Sequence, residues 1–128
     1  MVETEQVTAI FQDAWTLYAD ALAEMGRGKL RNAAEKAWGA TKRATDALVL
    51  ARTGEGPRTA GQTNRDLLRL GRQDQRVQEL VGPYFIRAGF LHGQCFYDGM
   101  CEPVEAVEDA IRETTNYIQH AQELAAEV

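Results

Sequence analysis

Apolar residues recur at steps of three and four along almost the whole chain, and no segment alternates apolar and polar residues with a period of two. A repeat of three to four residues places apolar side chains on one face of an α-helix, whereas a half-buried strand requires strict alternation. Amphipathic helices must bury their apolar faces against one another. The sequence therefore predicts an all-α fold, an antiparallel bundle of four to five helices, in one domain spanning residues 1–128.

Glycines divide the first half of this pattern into helices. A first helix is predicted from Thr4 to Gly26, and a second from Leu30 to Gly54. A glycine at the end of a helix can adopt the left-handed conformation that closes it. Residues 54–62, with three glycines and a proline, are predicted to form the main loop.

The second half of the chain is less regular. Thr63 or Asn64 is predicted to cap a third helix, since both residue types accept a hydrogen bond from the free backbone N–H groups of a first turn. Proline lacks a backbone donor and crowds the preceding turn, so Pro83 predicts either a kink or the start of a new helix. That helix is expected to run to Tyr97, and the last helix to begin at Glu102-Pro103.

Composition limits the classes of function. An apolar content of 45% is typical of a soluble chain, and no run approaches the roughly 20 apolar residues of a membrane span. The acidic start predicts no secretory signal, so we expect a cytoplasmic protein. Cys95 and Cys101 lack a second pair at metal-binding spacing and are interpreted as reduced thiols. Residues 54–62 lack the Lys-Ser/Thr ending of a phosphate-binding loop, and we expect neither a metal nor a cofactor.

Charge is distributed unevenly along the chain. Residues 1–26 carry five acids and no base, residues 27–76 carry twelve bases and five acids, and residues 77–128 carry nine acids and two bases. Four arginines of the middle segment recur at helical steps and predict one basic stripe: Arg65, Arg69, Arg72 and Arg76. The stripe is interpreted as a solvated face or as a surface for RNA or an acidic partner.

The stretch from Arg87 to Asp98 concentrates the groups that carry chemistry, because it holds a guanidinium, an imidazole and a phenol. Cleaving RNA without a metal requires a base for the 2′-hydroxyl proton and a cation for the charge that develops on the phosphate. His92 fits the first role and Arg87 the second. Five residues apart on a straight α-helix, however, they point about 140° apart. They would converge only through a helix start at Pro83 or across a two-fold axis.

Two segments, Ala34-Glu-Lys-Ala-Trp-Gly-Ala40 and Leu91-His-Gly-Gln-Cys-Phe-Tyr97, resemble the HEPN superfamily. They most resemble its small prokaryotic branch, which includes archaeal repeat-element proteins. The hallmark of the superfamily is an arginine followed, after four to six residues, by a histidine, and Arg87 and His92 match it with four residues between them. Active members usually have a polar residue after the arginine, where this chain has Ala88.

The resemblance implies a homodimer in which the two motifs face each other. It also implies a HEPN-like helical module, with a degraded motif, that binds a nucleotide, RNA or a nucleotidyltransferase-type partner. The alternative is a metal-independent ribonuclease that uses Arg87 and His92, such as the toxin of a toxin-antitoxin pair with a small antitoxin as partner. A third hypothesis is a structural dimer with contacts to protein only. Whether the chain is an enzyme stays open at this point.

Three further residues are candidates for the site. Glu35 is a candidate for orienting Arg87 or His92, and Tyr97 for stacking on a base or binding a phosphate. Trp38 and Tyr97 are equally interpreted as core or dimer-interface aromatics. His92 is equally interpreted as a hydrogen-bonded packing residue, and Arg87 as the ion-pair partner of an acid such as Glu35.

Overall fold

The computed structural model describes residues 2–57 and 59–127, which form helices joined by short loops. The helices are α1 (Val2–Gly26), α2 (Leu30–Thr53), α3 (Ala60–Gln73), α4 (Gln75–Arg87), α5 (Val104–Arg112) and α6 (Thr114–Ala126), and α4 continues directly into a π-helical segment, Ala88–Tyr97. These ranges contain no strand, and the helices pack into a bundle, so the predicted all-α fold is confirmed.

Helix α2 is the centre of the bundle. It packs along α1 and also contacts α3, α4, α5, α6 and the π-helical segment. Its inner positions are mostly alanines with no exposed surface, which lets neighbouring helices approach closely: Ala33, Ala34, Ala37, Ala40, Ala44 and Ala47. Residues 44–50 are all buried. Gly54 closes α2 in the left-handed conformation with a φ of 81°, as predicted.

The core has two parts along α2. Near the C-terminal half of α2, side chains from α1, α3, α4 and α6 meet, among them Phe11, Leu67 and Ile118. Near its N-terminal half, α1, α5 and the π-helical segment supply side chains such as Leu91 and Val107. The second part lies directly beneath the stretch from Arg87 to Asp98.

Helix α3 begins earlier than predicted. Its cap is Thr59, not Thr63 or Asn64, and the loop is correspondingly shorter than residues 54–62. The Thr59 hydroxyl accepts a hydrogen bond from the Gln62 N–H, and the Gln62 side chain accepts one from the Thr59 N–H. This reciprocal arrangement satisfies two N–H groups that the first turn leaves free. The hydroxyl of Thr63 is buried instead and donates to Asp46.

Helix α4 does not begin at Pro83, which was one of the two alternatives predicted there. The new helix begins at Gln75, where the Asp74 side chain accepts a hydrogen bond from the Arg76 N–H, and it continues through Pro83. Helices α3 and α4 approach closely at Gly71, where an added Cβ would lie 2.6 Å from Gln78 Oε1. A side chain at position 71 would displace the end of the Gln78 side chain and crowd Val81, whose Cγ2 would lie 3.0 Å from the added Cβ.

The backbone changes its hydrogen bonding after Arg87. Residues 88–97 form a π-helix, and the segment ends with the Asp98 N–H donating to the Gly93 carbonyl. In this pattern each N–H reaches back five residues instead of four. The predicted last helix is two helices, α5 and α6, separated at Glu113, and α5 begins one residue after Pro103.

Cys95 and Cys101 form a disulfide bond, which corrects the interpretation of both as reduced thiols. The bond joins the end of the π-helical segment to the loop before α5. The chain reverses between the two cysteines at Gly99, whose φ of 73° is readily adopted only by glycine. The cysteines therefore fix the loop beside the stretch from Arg87 to Asp98. None of the helices described is both long and apolar enough to cross a membrane.

Candidate functional site

The imidazole of His92 lies at the surface and is held by Glu35. The Nδ1 atom of His92 is 2.7 Å from Glu35 Oε1, and both side chains are about half-buried. An ionised carboxylate has no proton to donate, so Nδ1 carries the hydrogen of this contact; in the neutral form of the ring, Nε2 is then the acceptor. Nε2 has no hydrogen-bond partner within the described ranges. Of the two roles considered for Glu35, the structure thus places it beside His92 and not beside Arg87.

Aromatic rings surround this imidazole. The Phe96 ring is stacked on it, with ring centroids 6.1 Å apart and planes 21° apart. The centroid of the Trp38 ring, on α2, lies 6.2 Å from that of the imidazole. Trp38 also packs against the buried Tyr84, with ring centroids 5.1 Å apart. Trp38 therefore links the surface imidazole to the core, and it serves as a core aromatic as well as a wall of the site.

Arg87, by contrast, is enclosed. Its residue is 8% exposed, and its guanidinium donates to the Thr41 hydroxyl (2.9 Å), the Ala110 carbonyl (2.9 Å) and the Thr114 hydroxyl. No carboxylate in the described part of the chain forms an ion pair with it. Burial away from water lowers the pKa of Arg87 to about 10, so it remains charged at neutral pH.

The two motif residues are directed to different parts of the molecule. His92 contacts Glu35, and Arg87 contacts Thr41, and these partners are six residues apart on α2, or about 9 Å along its axis. One protomer does not bring the guanidinium and the imidazole together. The Arg87 guanidinium connects α4 with α2, α5 and α6, which is the geometry of a packing residue.

Two tyrosines near Arg87 are also enclosed. The Tyr117 hydroxyl lies 2.7 Å from the Thr45 hydroxyl, and that of Tyr84 has no hydrogen-bond partner among the residues described. Burial raises the pKa of both phenols above the usual 10.0, and the nearby Asp46 carboxylate adds to the effect at Tyr84. The interior around Arg87 therefore resists ionisation of tyrosine.

We expect the free energy of unfolding to fall by about 1.4 kcal/mol per pH unit above pH 10. Above that pH, the unfolded chain loses two tyrosine protons that the folded chain keeps, which costs about 1.4 kcal/mol per unit for each. Arg87 acts in the opposite direction, because burial lowers its pKa to about 10, so the folded chain loses this proton at a lower pH than the unfolded chain does. Denaturant titrations at several alkaline pH values measure the slope.

The matched variant for this prediction is Tyr117→Phe. With one buried phenol removed, the remaining tyrosine and Arg87 offset each other, so the decline should become shallower by about 1.4 kcal/mol per unit. Equal slopes in the two proteins would mean that Tyr117 ionises in the folded state.

The remaining candidates lie on two other surfaces. Tyr97 is 74% exposed at the end of the π-helical segment, next to Phe96. Arg65, Arg69 and Arg72 are exposed on α3, whereas Arg76 belongs to α4, so the predicted stripe crosses a helix boundary. Two of the four are engaged in ion pairs, Arg65 with Asp66 and Arg76 with Glu127.

Three contributors were not identified from the sequence. Arg31 on α2 donates to the carbonyls of Phe96 and Tyr97, and its Cζ atom lies 5.9 Å from the Phe96 ring centroid. Its position four residues before Glu35 was the available signal, since residues four apart share a helix face. Thr41 and Thr114, the partners of Arg87, were assigned only to apolar stripes. The hydroxyl of a buried threonine needs a hydrogen-bond partner, and this requirement could have indicated that Thr41 and Thr114 bind a polar group in the core.

The described residues include no group of three or more His, Cys, Asp or Glu side chains arranged to hold a metal ion. A sequence model of the archaeal PaREP1/PaREP8 family matches residues 9–116, which is most of the chain. Comparison with curated proteins and with solved structures finds no significant match.

Proposed function

The chain belongs to the archaeal PaREP1/PaREP8 family, and from that premise we propose that it is a HEPN-like binding module, a homodimer that binds the phosphates of RNA or a nucleotide without cleaving them. The site around His92 and the basic face of α3 are the two surfaces that bind. Both lie outside the enclosed core, and neither requires a metal.

The position of Arg87 is the observation that carries this proposal. A cleavage site needs a cation within reach of the reacting phosphate. The Arg87 guanidinium already donates to Thr41, Ala110 and Thr114. To reach a ligand it would have to leave these acceptors and open the packing of α4 against α5 and α6, at a cost typical of breaking a buried polar network. Binding without cleavage is the function that this arrangement favours.

The exposed arginines of α3 support the proposal that the ligand is anionic. Arg69 and Arg72 make no ion pair with any side chain in residues 4–57 or 59–127. Together with Arg65 they occupy steps of four and three, which places them on one face of the helix. Unpaired arginines on a helix face are free to exchange their counterions for phosphates.

The outer face of α4 supports the homodimer. We define this face by Gly82, Phe85 and Ile86 of α4 and by Gly89 at the start of the π-helical segment, which are all exposed, with Ile86 exposed to 69%. The ionisable side chains of this part of α4, Tyr84 and Arg87, point into the core. A two-fold contact sets a surface against its own copy, so an uncharged apolar face suits it and a charged one would repel itself.

We expect the purified protein to bind a short single-stranded RNA in the presence of a chelator and to leave it intact, with an affinity that falls steeply as salt rises. Each phosphate contact to single-stranded RNA contributes about 0.7 to the slope of log affinity against log salt. The double variant Arg69→Ala/Arg72→Ala should therefore reduce the slope by about 1.4. Fluorescence anisotropy at several salt concentrations gives the slope, and gel electrophoresis of the RNA gives its integrity.

A double variant at paired, exposed arginines, Arg27→Ala/Arg112→Ala, removes the same charge and serves as the control. In the wild type these arginines pair with Glu24 and Asp109. A slope that is equal in both double variants would exclude the face of α3 as the binding surface.

A metal-independent ribonuclease that uses Arg87 and His92 is the second candidate, and the Glu35–His92 hydrogen bond favours it. A carboxylate that holds Nδ1 leaves Nε2 oriented as a general base. The same RNA experiment separates the two functions. Cleavage that persists in chelator and disappears in His92→Ala and in Arg87→Ala would replace the binding module by a nuclease.

A further inference from the structure

We propose that Arg31, rather than Arg87, is the phosphate-binding cation beside His92, and that this site binds a ribonucleoside phosphate, either free or within RNA. This role for Arg31 rests on the proposed function, because it names the residue through which the surface around His92 binds its ligand.

Arg31, Phe96 and His92 form a continuous surface. The Arg31 guanidinium lies over one side of the Phe96 ring, 5.9 Å from its centroid, and the His92 ring is stacked with Phe96 at 6.1 Å. Glu35, one helical turn after Arg31, holds the imidazole at 2.7 Å. A cation, an aromatic ring and a ring nitrogen thus succeed one another along one strip, which is exposed at Arg31 and half-buried at Phe96 and His92.

The Arg31 guanidinium is fixed in place and still has donors to offer. Nε and Nη2 donate to the carbonyls of Phe96 and Tyr97, at the C-terminal end of the π-helical segment, where a cation is favourable. Within the described chain, Nη1 has no hydrogen-bond partner. A donor that is already oriented loses little conformational entropy when it binds a ligand.

The chemistry of this strip matches a ribonucleoside phosphate. A planar guanidinium fits phosphate oxygens, and every base has a face that stacks on an aromatic ring such as that of the exposed Tyr97. The free Nε2 of His92 accepts a hydrogen bond from a ribose hydroxyl. Glu35 directs its carboxylate at His92, and the exposed Asp98 follows Tyr97; neither forms an ion pair with Arg31 in the described chain, which leaves the positive charge of Arg31 for the ligand.

Titration calorimetry tests this assignment with two probes, adenosine 5′-monophosphate and a short oligoadenylate. Arg31→Gln is expected to weaken binding of the recognised probe by about tenfold or more, the usual value of a hydrogen bond to a charged group. The control Arg27→Gln removes the same charge four residues earlier, in the loop before α2, from an exposed arginine paired with Glu24, and should change the affinity less than about twofold. Binding of the monophosphate identifies a nucleotide ligand, and binding of the oligonucleotide alone identifies RNA.

Because Arg31 also caps the π-helical segment, a second measurement uses the wild-type protein. The side-chain Nε–H resonance of Arg31 should shift on addition of the bound probe, while that of Arg27 stays in place. If the wild type binds a probe but Arg31→Gln binds equally well and the Arg31 resonance does not move, this role for Arg31 is overturned and the proposed function stands. If the wild type binds neither probe, both are overturned.

Discussion

Arg87→Ala is expected to lower the free energy of unfolding by about 3 kcal/mol, which for a domain of this size corresponds to a melting temperature about 10 °C lower. The substitution empties the space that the side chain fills between α4 and its neighbours and removes its hydrogen bonds to Thr41, Ala110 and Thr114. The two hydroxyls keep a backbone carbonyl to donate to, and this limits the loss. Thermal and denaturant unfolding measure both quantities.

Arg72→Ala is the matched control, because Arg72 is an exposed arginine that makes no ion pair with any side chain in residues 4–57 or 59–127. Its free energy of unfolding should change by no more than about 0.5 kcal/mol. If Arg87→Ala were as stable as Arg72→Ala, the guanidinium would not be part of the core. It would then be free to meet a phosphate, and the preference for binding over cleavage would lose its basis.

Ile86→Glu is expected to convert the proposed homodimer to a monomer at micromolar concentration. The two-fold contact proposed for the outer face of α4 would place two new carboxylates near each other in an apolar environment, and each would lose its hydration on association. A penalty of about 3 kcal/mol or more corresponds to a dissociation constant at least about 100-fold higher. Light scattering and sedimentation over a range of concentrations report the mass.

The control is Leu68→Glu, which introduces the same side chain at a leucine of α3 that is 45% exposed. It should leave the mass unchanged. A wild-type protein that is monomeric at all concentrations would remove the homodimer, and dissociation by both substitutions alike would point to general destabilisation in place of a specific contact.

The periodicity of apolar residues was sufficient to predict the fold class and α1 and α2, because both helices are long and their inner stripes are regular. Gly54 was also predicted correctly as the closing residue of α2. The start of α3 was missed although the sequence carries its signature, a threonine with glutamine three residues later, at Thr59 and Gln62. The glycines and proline around Thr59 made the whole stretch resemble a loop.

The candidate site was harder to predict because its contacts join distant parts of the chain. The contact between Glu35 and His92 was one of the two contacts predicted for Glu35. Burial of Arg87 was not predictable from its own neighbours, because its acceptors lie on α2, α5 and α6. The π-helical backbone left no signal in the apolar spacing. The disulfide was missed because the cytoplasmic location expected for the chain and the spacing of the two cysteines both favoured reduced thiols. The chain reversal at Gly99, which brings the cysteines together, was not considered.

Because one end of α2 is enclosed and the other is at the surface, the two ends of this helix tolerate different substitutions during evolution. Along residues 44–50 every position is in the interior, so a substitution there must preserve the packing and, at Thr45 and Asp46, the buried hydrogen bonds to Tyr117 and Thr63. In its first two turns, Arg31 and Glu35 face outward toward the rings of Phe96 and His92. On the proposed function, a lineage can therefore alter the ligand by changing a few residues at one end of α2 while the other end preserves the scaffold.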